Sequence, residues 1–217
     1  MRFLLICLAL FSLSSKAEVS AIDFHQRKII LDKPAQRIVA LAPHIVENTY
    51  SAGAGDKLVG VVSFSDFPDA AKSVQIVGNY QSWSLEAIVA LQPDLILMWG
   101  SGNGMKTLSS LQKTGVPIFI SDPKKLTDIP YAIRAIGQLA GTEAVSEPEA
   151  KRIEKALTRI EAQYSNRRTV SVFYQVWDEP LQTLNGEHLI SDVMELCGGY
   201  NVFADAVSLA PKINLES

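Results

Sequence analysis

Cysteine is almost absent. The 217 residues contain two, Cys7 and Cys197, so a disulfide framework is excluded as the source of stability. Histidine is scarce too. His25, His44 and His188 share no short ligand spacing, whereas a metal centre needs several ligands that converge. Basic residues are not in excess, with 20 Lys and Arg against 23 Asp and Glu, and they form no stripe. Nucleic acid is therefore a poor partner. No apolar run, the first included, is long enough to span a bilayer. No G-x-S-x-G nucleophile elbow is present. The chain has no internal repeat and no low-complexity segment.

What is present is a 47% hydrophobic chain, enough for one or two packed α/β lobes. Its start reads as an export signal. Met1 and Arg2 precede an apolar run from Phe3 to Leu13, and small residues lead to Ala17, where cleavage is expected. Loss of Arg2 and Lys16 takes the net charge from −3 to −5. Export with this pattern fits a bacterial periplasm. Cys197 is then the lone cysteine of the mature chain. It is either buried and inert or paired with a cysteine outside this sequence.

Strands and helices alternate through the first two thirds. Residues 18–36 hold a short β-like segment that ends at Lys33-Pro34. Arg37 to Ala42 reads as a buried strand, Pro43-His44 as a turn, and a helix follows to Ala52, ended by Gly53 and Gly55. Leu58 to Val62 and Ile76-Val77 are further strands, with Phe64 to Pro68 as a loop between them. Ser84 is placed to cap a helix whose apolar face is Leu85, Ile88, Val89 and Leu91. Pro93 ends it. Leu95 to Trp99 is then a strand buried on both faces, followed by the loop Gly100 to Gly104. Lys106 to Lys113 reads as a helix and Val116 to Ile120 as another buried strand. This alternation predicts a mostly parallel sheet.

Leu126 to Ala140 is predicted helical, broken by Gly141. A second helix starts at Glu147-Pro148-Glu149, with Pro in its first turn, and runs to about Tyr164 over roughly 25 Å. Thr169 to Val176 is a new strand, Asp178-Glu179-Pro180 a loop, and Leu189 to Leu196 a helix ended by Gly198-Gly199. The expected organisation is a signal peptide over 1–17, an N-terminal α/β lobe over 18–145, a linking helix over 146–165, and the start of a second, incomplete α/β lobe over 166–217.

The chemistry points to binding. Gly100, Gly102 and Gly104 suggest a dinucleotide loop, but Met105 stands where the third glycine of the fingerprint belongs, and Asp122 only loosely supplies its acid. Asp66 and Asp69 flank Pro68 and read as turn formers. The aromatics are more telling. Phe64, Tyr80 and Trp99 fall on strand ends and loops of the first lobe. Phe173, Tyr174 and Trp177 fall on the second, with Phe173 expected in its core. Two aromatic rims suit a large, flat ligand held between lobes.

The segments RIVALAPHIVE, VSFSDFP, NYQSWSLEAIVALQPDLILMWGSGN and VMELCGGYNVF resemble the periplasmic binding proteins of cobalamin, haem and siderophore importers. The SDFP and W-x-x-G-N elements are most similar to the cobalamin-binding branch. The resemblance covers nearly all of the chain from Arg37. It implies two Rossmann-like lobes with parallel sheets joined by one long helix, no catalytic residues and no cofactor, with cobalamin as the transported ligand. It implies a monomer that delivers to the membrane subunits of an ABC importer. Carried onto this sequence, the ligand would be lined by Pro43, His44, Phe64, Tyr80, Trp99, Val176 and Trp177. The Phe64 and Tyr80 positions are commonly Tyr and Trp in cobalamin-binding relatives, and Ala210 replaces an expected cleft tryptophan. Glu86 and Glu216 would dock onto arginines of the membrane subunits. Some relatives pair the cysteine of the CGG motif with a later one, which would account for Cys197. The alternatives are haem, with His44 or Tyr80 as axial ligand, a ferric siderophore, and a secreted Rossmann-like enzyme.

Overall fold

The computed structural model describes residues 18–164 and 166–214; the predicted leader and Glu216 lie outside them. Five strands with almost wholly apolar sequences form one parallel sheet: β3 (Ile38–Ala40), β4 (Leu58–Val62), β5 (Ile76–Gly78), β6 (Leu95–Trp99) and β7 (Ile118–Ser121). Their order is β5-β4-β3-β6-β7. The central strands are apolar because both faces are covered. Along β6, Leu95 and Leu97 join one buried cluster and Ile96 and Met98 the other, as the two-residue repeat of a strand requires. Phe119 of β7 and Ile38 and Ala40 of β3 belong to the first cluster, together with Ile45 of α1 (Pro43–Ser51) and Ile133, Ile136 and Leu139 of α5 (Asp128–Ala140). The second cluster takes Ile88 of α2 (Leu85–Ala90) and Leu111 of α4 (Leu108–Gln112).

The strand order reverses between β3 and β6. The chain runs from β3 outward to β4 and β5, then crosses to β6 and β7 on the other side. In open parallel sheets a crevice forms at that point, outside the carboxyl ends of the strands. The α1 segment follows β3 there, and Trp99 closes β6.

The first residues form an antiparallel hairpin, β1 (Val19–Ile22) and β2 (Lys28–Leu31). Its turn is built on Asp23, which is fully buried. The Asp23 carboxylate accepts bonds from the backbone N–H groups of His25 and Arg27, both at 2.9 Å, and from Arg27 Nε at 2.8 Å. The Arg27 Nη2 donates onward to the Ile118 carbonyl at 2.8 Å. The hairpin is thus fastened to the outer strand β7.

Several sequence expectations move. Pro43 and His44 are not a turn: Pro43 opens α1, where its missing N–H costs nothing. Only Gly53 ends that helix with a left-handed backbone, φ +73. Val89 is exposed and leaves the buried face of α2 to Ile88. Residues 100 to 103 form one helical turn, α3 (Gly100–Asn103), in place of a loop. The linking helix α6 (Glu143–Tyr164) starts before Pro148, which lies inside it, so the helix is about 33 Å long. The reason is packing. Gly137 of α5 lies so close to Ser146 that a Cβ on it would sit 2.0 Å from the Ser146 hydroxyl, and Ser146 and Ala150 are both buried. Arg134 reinforces the contact from α5. Its Nε donates to Glu147 at 2.6 Å and its Nη1 to Glu154 at 2.5 Å.

After residue 166 the elements are short. In β8 (Val170–Val172) the strand has shrunk from the expected eight residues to three, and it pairs in parallel with β11 (Gly199–Asn201). A small hairpin joins β9 (Trp177–Asp178) to β10 (Leu181–Gln182), and α7 (Leu189–Leu196) matches its expected span. Phe173 is not a core residue. It is 47% exposed and rests on the Phe203 ring, centroids 5.8 Å apart. Cys197 is exposed and, among the described residues, unpaired, which removes the reading of a buried, inert thiol.

Candidate ligand cleft

Trp99 is held by its own neighbours. Its N–H donates to Asn103 Oδ1 at 2.6 Å, and the single turn α3 brings Gly102 beneath the indole. A Cβ on Gly102 would lie 1.9 Å from the Trp99 ring. This glycine is therefore spacing for an aromatic plate, which accounts for the defective dinucleotide pattern. The buried Asn103 side chain reaches further. Its Nδ2 donates to the Leu41 carbonyl at 2.9 Å and to the Tyr80 carbonyl at 2.5 Å. One carboxamide thus ties together the ends of β3 and β6 and the loop before α2. The ring of His44 meets Trp99 edge-on at 5.1 Å, and that of Tyr80 lies tilted at 6.1 Å.

These residues stand at a cavity of about 460 Å³ between the two parts of the chain, within the size range of small-molecule sites. From the first lobe it is lined by His44, Trp99, Ser101, Asp122, Pro123 and Lys124. The facing wall is Glu187, His188, Leu189, Ile190 and Leu209. The two sides also touch directly, because the Leu126 N–H donates to Asp192 of α7 at 2.6 Å. A larger hollow of about 580 Å³ around Arg37, Tyr50 and Leu91 lies at the amino ends of the strands, away from where such sheets bind ligands.

The histidines of the cleft are shaped by burial. Desolvation pushes the His44 pKa down to about 4, against the opposing pull of the Asp122 charge, so the imidazole is neutral at neutral pH. Among the described residues its buried Nε2 has no hydrogen-bond partner. His188 is likewise lowered by burial. It caps α7, accepting the Ile190 N–H on Nδ1 at 3.1 Å. Asp122 is fixed from one side. Its Oδ1 accepts both the N–H of Ser101 at 3.0 Å and the Ser101 hydroxyl at 2.7 Å.

Of the residues expected to line a ligand, His44 and Trp99 are on the cavity wall, and Tyr80 stacks beside Trp99 without reaching that wall. Phe64 is 81% exposed, with a left-handed φ of 67, on the loop above. Pro43 supports His44 from the helix start. Val176 and Trp177 are outside the cavity, and the Trp177 Nε1 donates locally to the Glu179 carbonyl. Sequence reading missed Ser101, Asp122, His188 and Asp192. A serine and an acid 21 positions apart carry no local signal, and histidine is not a customary cap. Glu86 is exposed in the first turn of α2, next to the cap. The Ser84 Oγ accepts the Ala87 N–H and donates to Glu86, both at 3.0 Å. Backbone and Ser84 hydrogen bonds hold the Glu86 carboxyl below its ordinary pKa. Among the described residues no three His, Cys, Asp or Glu side chains are grouped to hold a metal, and no helix is long and apolar enough to cross a membrane.

A family model described as periplasmic binding protein matches residues 38–217. The vitamin B12-binding protein of Vibrio parahaemolyticus is 37% identical over 193 residues, 89% of this chain and 70% of that protein. The match to the Vibrio campbellii vitamin B12-binding protein spans 66% of its length, so the chain corresponds to about two thirds of such relatives. The crystal structure of the periplasmic vitamin B12 binding protein BtuF of Vibrio cholerae superposes with a TM-score of 0.80 at 38% identity, covering 84% of this chain and 72% of that one. With the family model matched over residues 38–217 and this degree of identity and superposition, the chain belongs to the periplasmic binding protein family.

Proposed function

We propose that the protein captures cobalamin in the cleft between its lobes, in the periplasm after removal of residues 1–17, and hands it to the membrane subunits of an ABC importer. The observation that carries this reading is the Trp99 indole, set over Gly102 and flanked by His44 and Tyr80, in a chain whose relatives are named for vitamin B12 binding. A broad ligand with a flat ring face gains from burial and stacking on such a surface. No catalytic step is assigned to any residue. Glu86 is the docking residue of the first lobe: an exposed carboxylate, already ordered by Ser84, is suited to a charge-assisted pair with arginine. Glu216 is proposed as its counterpart in the second lobe.

A second reading is favoured by one observation. The neutral, unpartnered His44 Nε2 has the chemistry of an axial haem ligand. Titration of the purified mature chain with cyanocobalamin and with haemin, following tryptophan fluorescence and the visible spectrum, separates the two. Saturable cyanocobalamin binding, weakened at least tenfold by Trp99→Ala, supports the first. A haemin Soret shift that disappears in His44→Ala, without cyanocobalamin binding, replaces it with the second. Glu86→Lys is expected to leave binding intact and to lower uptake in reconstituted importer vesicles.

A further inference from the structure

The polar side chains of the cleft are unequal in what they offer a ligand, and Asp122 is the one with capacity left. It is the first residue after β7, with its side chain only 14% exposed. Both of the Ser101 bonds fall on Oδ1. His25 Nε2 stands 3.9 Å from Oδ2, beyond hydrogen-bond reach. Among the described residues no N–H or O–H donates to Oδ2, and Asp122 lines the space sized for a ligand. The other groups do not reverse the sign of the cleft. His44 is neutral, Glu187 adds a second carboxylate opposite, and Lys124 is an exposed rim residue. Two carboxylates, Asp122 and Glu187, thus face the cleft against the single ammonium of Lys124.

We infer that Asp122 is a specificity-determining residue that receives N–H donors from primary carboxamides on the ligand periphery and turns away carboxylates at the same position. The inference rests on the cobalamin reading and deepens it. A carboxamide brings two N–H donors to Oδ2. A carboxylate brings only lone pairs and like charge, which a carboxylate in a half-buried site repels. A corrin ring is fringed with primary amides, whereas haem carries two carboxylates, so this one residue separates the two ligand classes.

The test compares cyanocobalamin with a derivative in which one peripheral amide is hydrolysed to the acid, with haemin as a third ligand, in the wild type and in Asp122→Asn and Asp122→Ala. Circular dichroism melting checks that each variant is folded. The wild type is expected to prefer the amide form. Asp122→Ala weakens cyanocobalamin about tenfold, the size of a lost charge-assisted bond. Asp122→Asn keeps the shape, gains a donor and shrinks the preference for amide over acid while tightening haemin. A wild type that binds cyanocobalamin with an amide-to-acid ratio unchanged in both variants overturns the inference and leaves the cobalamin reading standing. A wild type that binds no corrinoid overturns both.

Discussion

The two parts of the chain are made of similar residues and are buried very differently. In the first lobe, sheet and helices enclose two apolar clusters, and Ile38, Leu97, Phe119 and Ile136 are wholly removed from water. Among the described residues after 166, only Leu184 and Met194 are buried apolar side chains. Four buried polar residues, Thr183, Asn185, Ser191 and Asn201, outnumber them. There the interior is a hydrogen-bond network: Asn201 Nδ2 donates to the Leu184 carbonyl and to Ser191 Oγ, both at 2.8 Å, and Ser191 donates to the Asn185 carbonyl at 2.7 Å. Meanwhile Val170, Phe173, Tyr200 and Val202 stay exposed around the two-stranded β8–β11 sheet. An apolar residue stabilises a fold only when a second layer covers it, and two strands give little to cover. The first lobe is therefore the rigid wall of the cleft, and the second is held in shape by polar bonds and by α6.

The contrast can be broken by pairing substitutions across the two parts. Phe119→Ala removes a fully buried ring and is expected to cost about 3–5 kcal/mol. Phe173→Ala removes a half-exposed one and should cost under about 1 kcal/mol. Equal shifts in urea midpoint for the two would show the second lobe to be as well packed as the first. A smaller effect comes from pH. The unfolded chain protonates His44 near pH 6.5 and the folded chain only near pH 4. Between those values the unfolded state holds more protons, so stability falls as pH drops, by about 3 kcal/mol across the window. Glu147, Glu149 and Glu154, each held low by arginine, and the half-buried His188 act in the same direction. His44→Leu should flatten the dependence between pH 6.5 and 4.5 measured by urea titration; an unchanged slope would mean that His44 is hydrated. A local effect sharpens the comparison from the other side. Asn201→Ala leaves Ser191 and a buried carbonyl short of a donor and is expected to cost about 1–3 kcal/mol. Hydrogen exchange should report it in β8, β11 and α7 while β3 and β6 stay protected.

The same contrast governs how much the sequence revealed. Both-face burial writes itself as an apolar run, so LILMW and LVGVV were legible as central strands, and the alternation of strand and helix gave the parallel sheet. The Ser84 cap and the Gly141 stop were legible because each uses chemistry confined to a few neighbouring residues; Ser84 accepts the Ala87 N–H and Gly141 takes φ +68. Distant packing was not. Pro148 argues for a helix start on local grounds, yet the close fit of Ser146 against Gly137 extends the helix before it. The strand at Thr169 read as long because TVSVFYQV has β-favouring residues, but a strand lasts only as far as its partner, and β11 offers three residues. In the cleft, Trp99 and His44 stood out by type and place. Asp122 and Ser101 did not, since their contact depends on β6 and β7 being neighbours.

Asn103 has a further implication. A single amide group sets the spacing between three chain segments around the cleft, so the aromatic positions there are not separate variables. Any exchange that alters this group retunes the seat of Trp99 and the loop bearing Tyr80 at one stroke. Changes made at either ring alone leave the frame between them untouched. Adapting the cleft to a broader or narrower ligand would therefore begin at a residue buried behind the cavity wall.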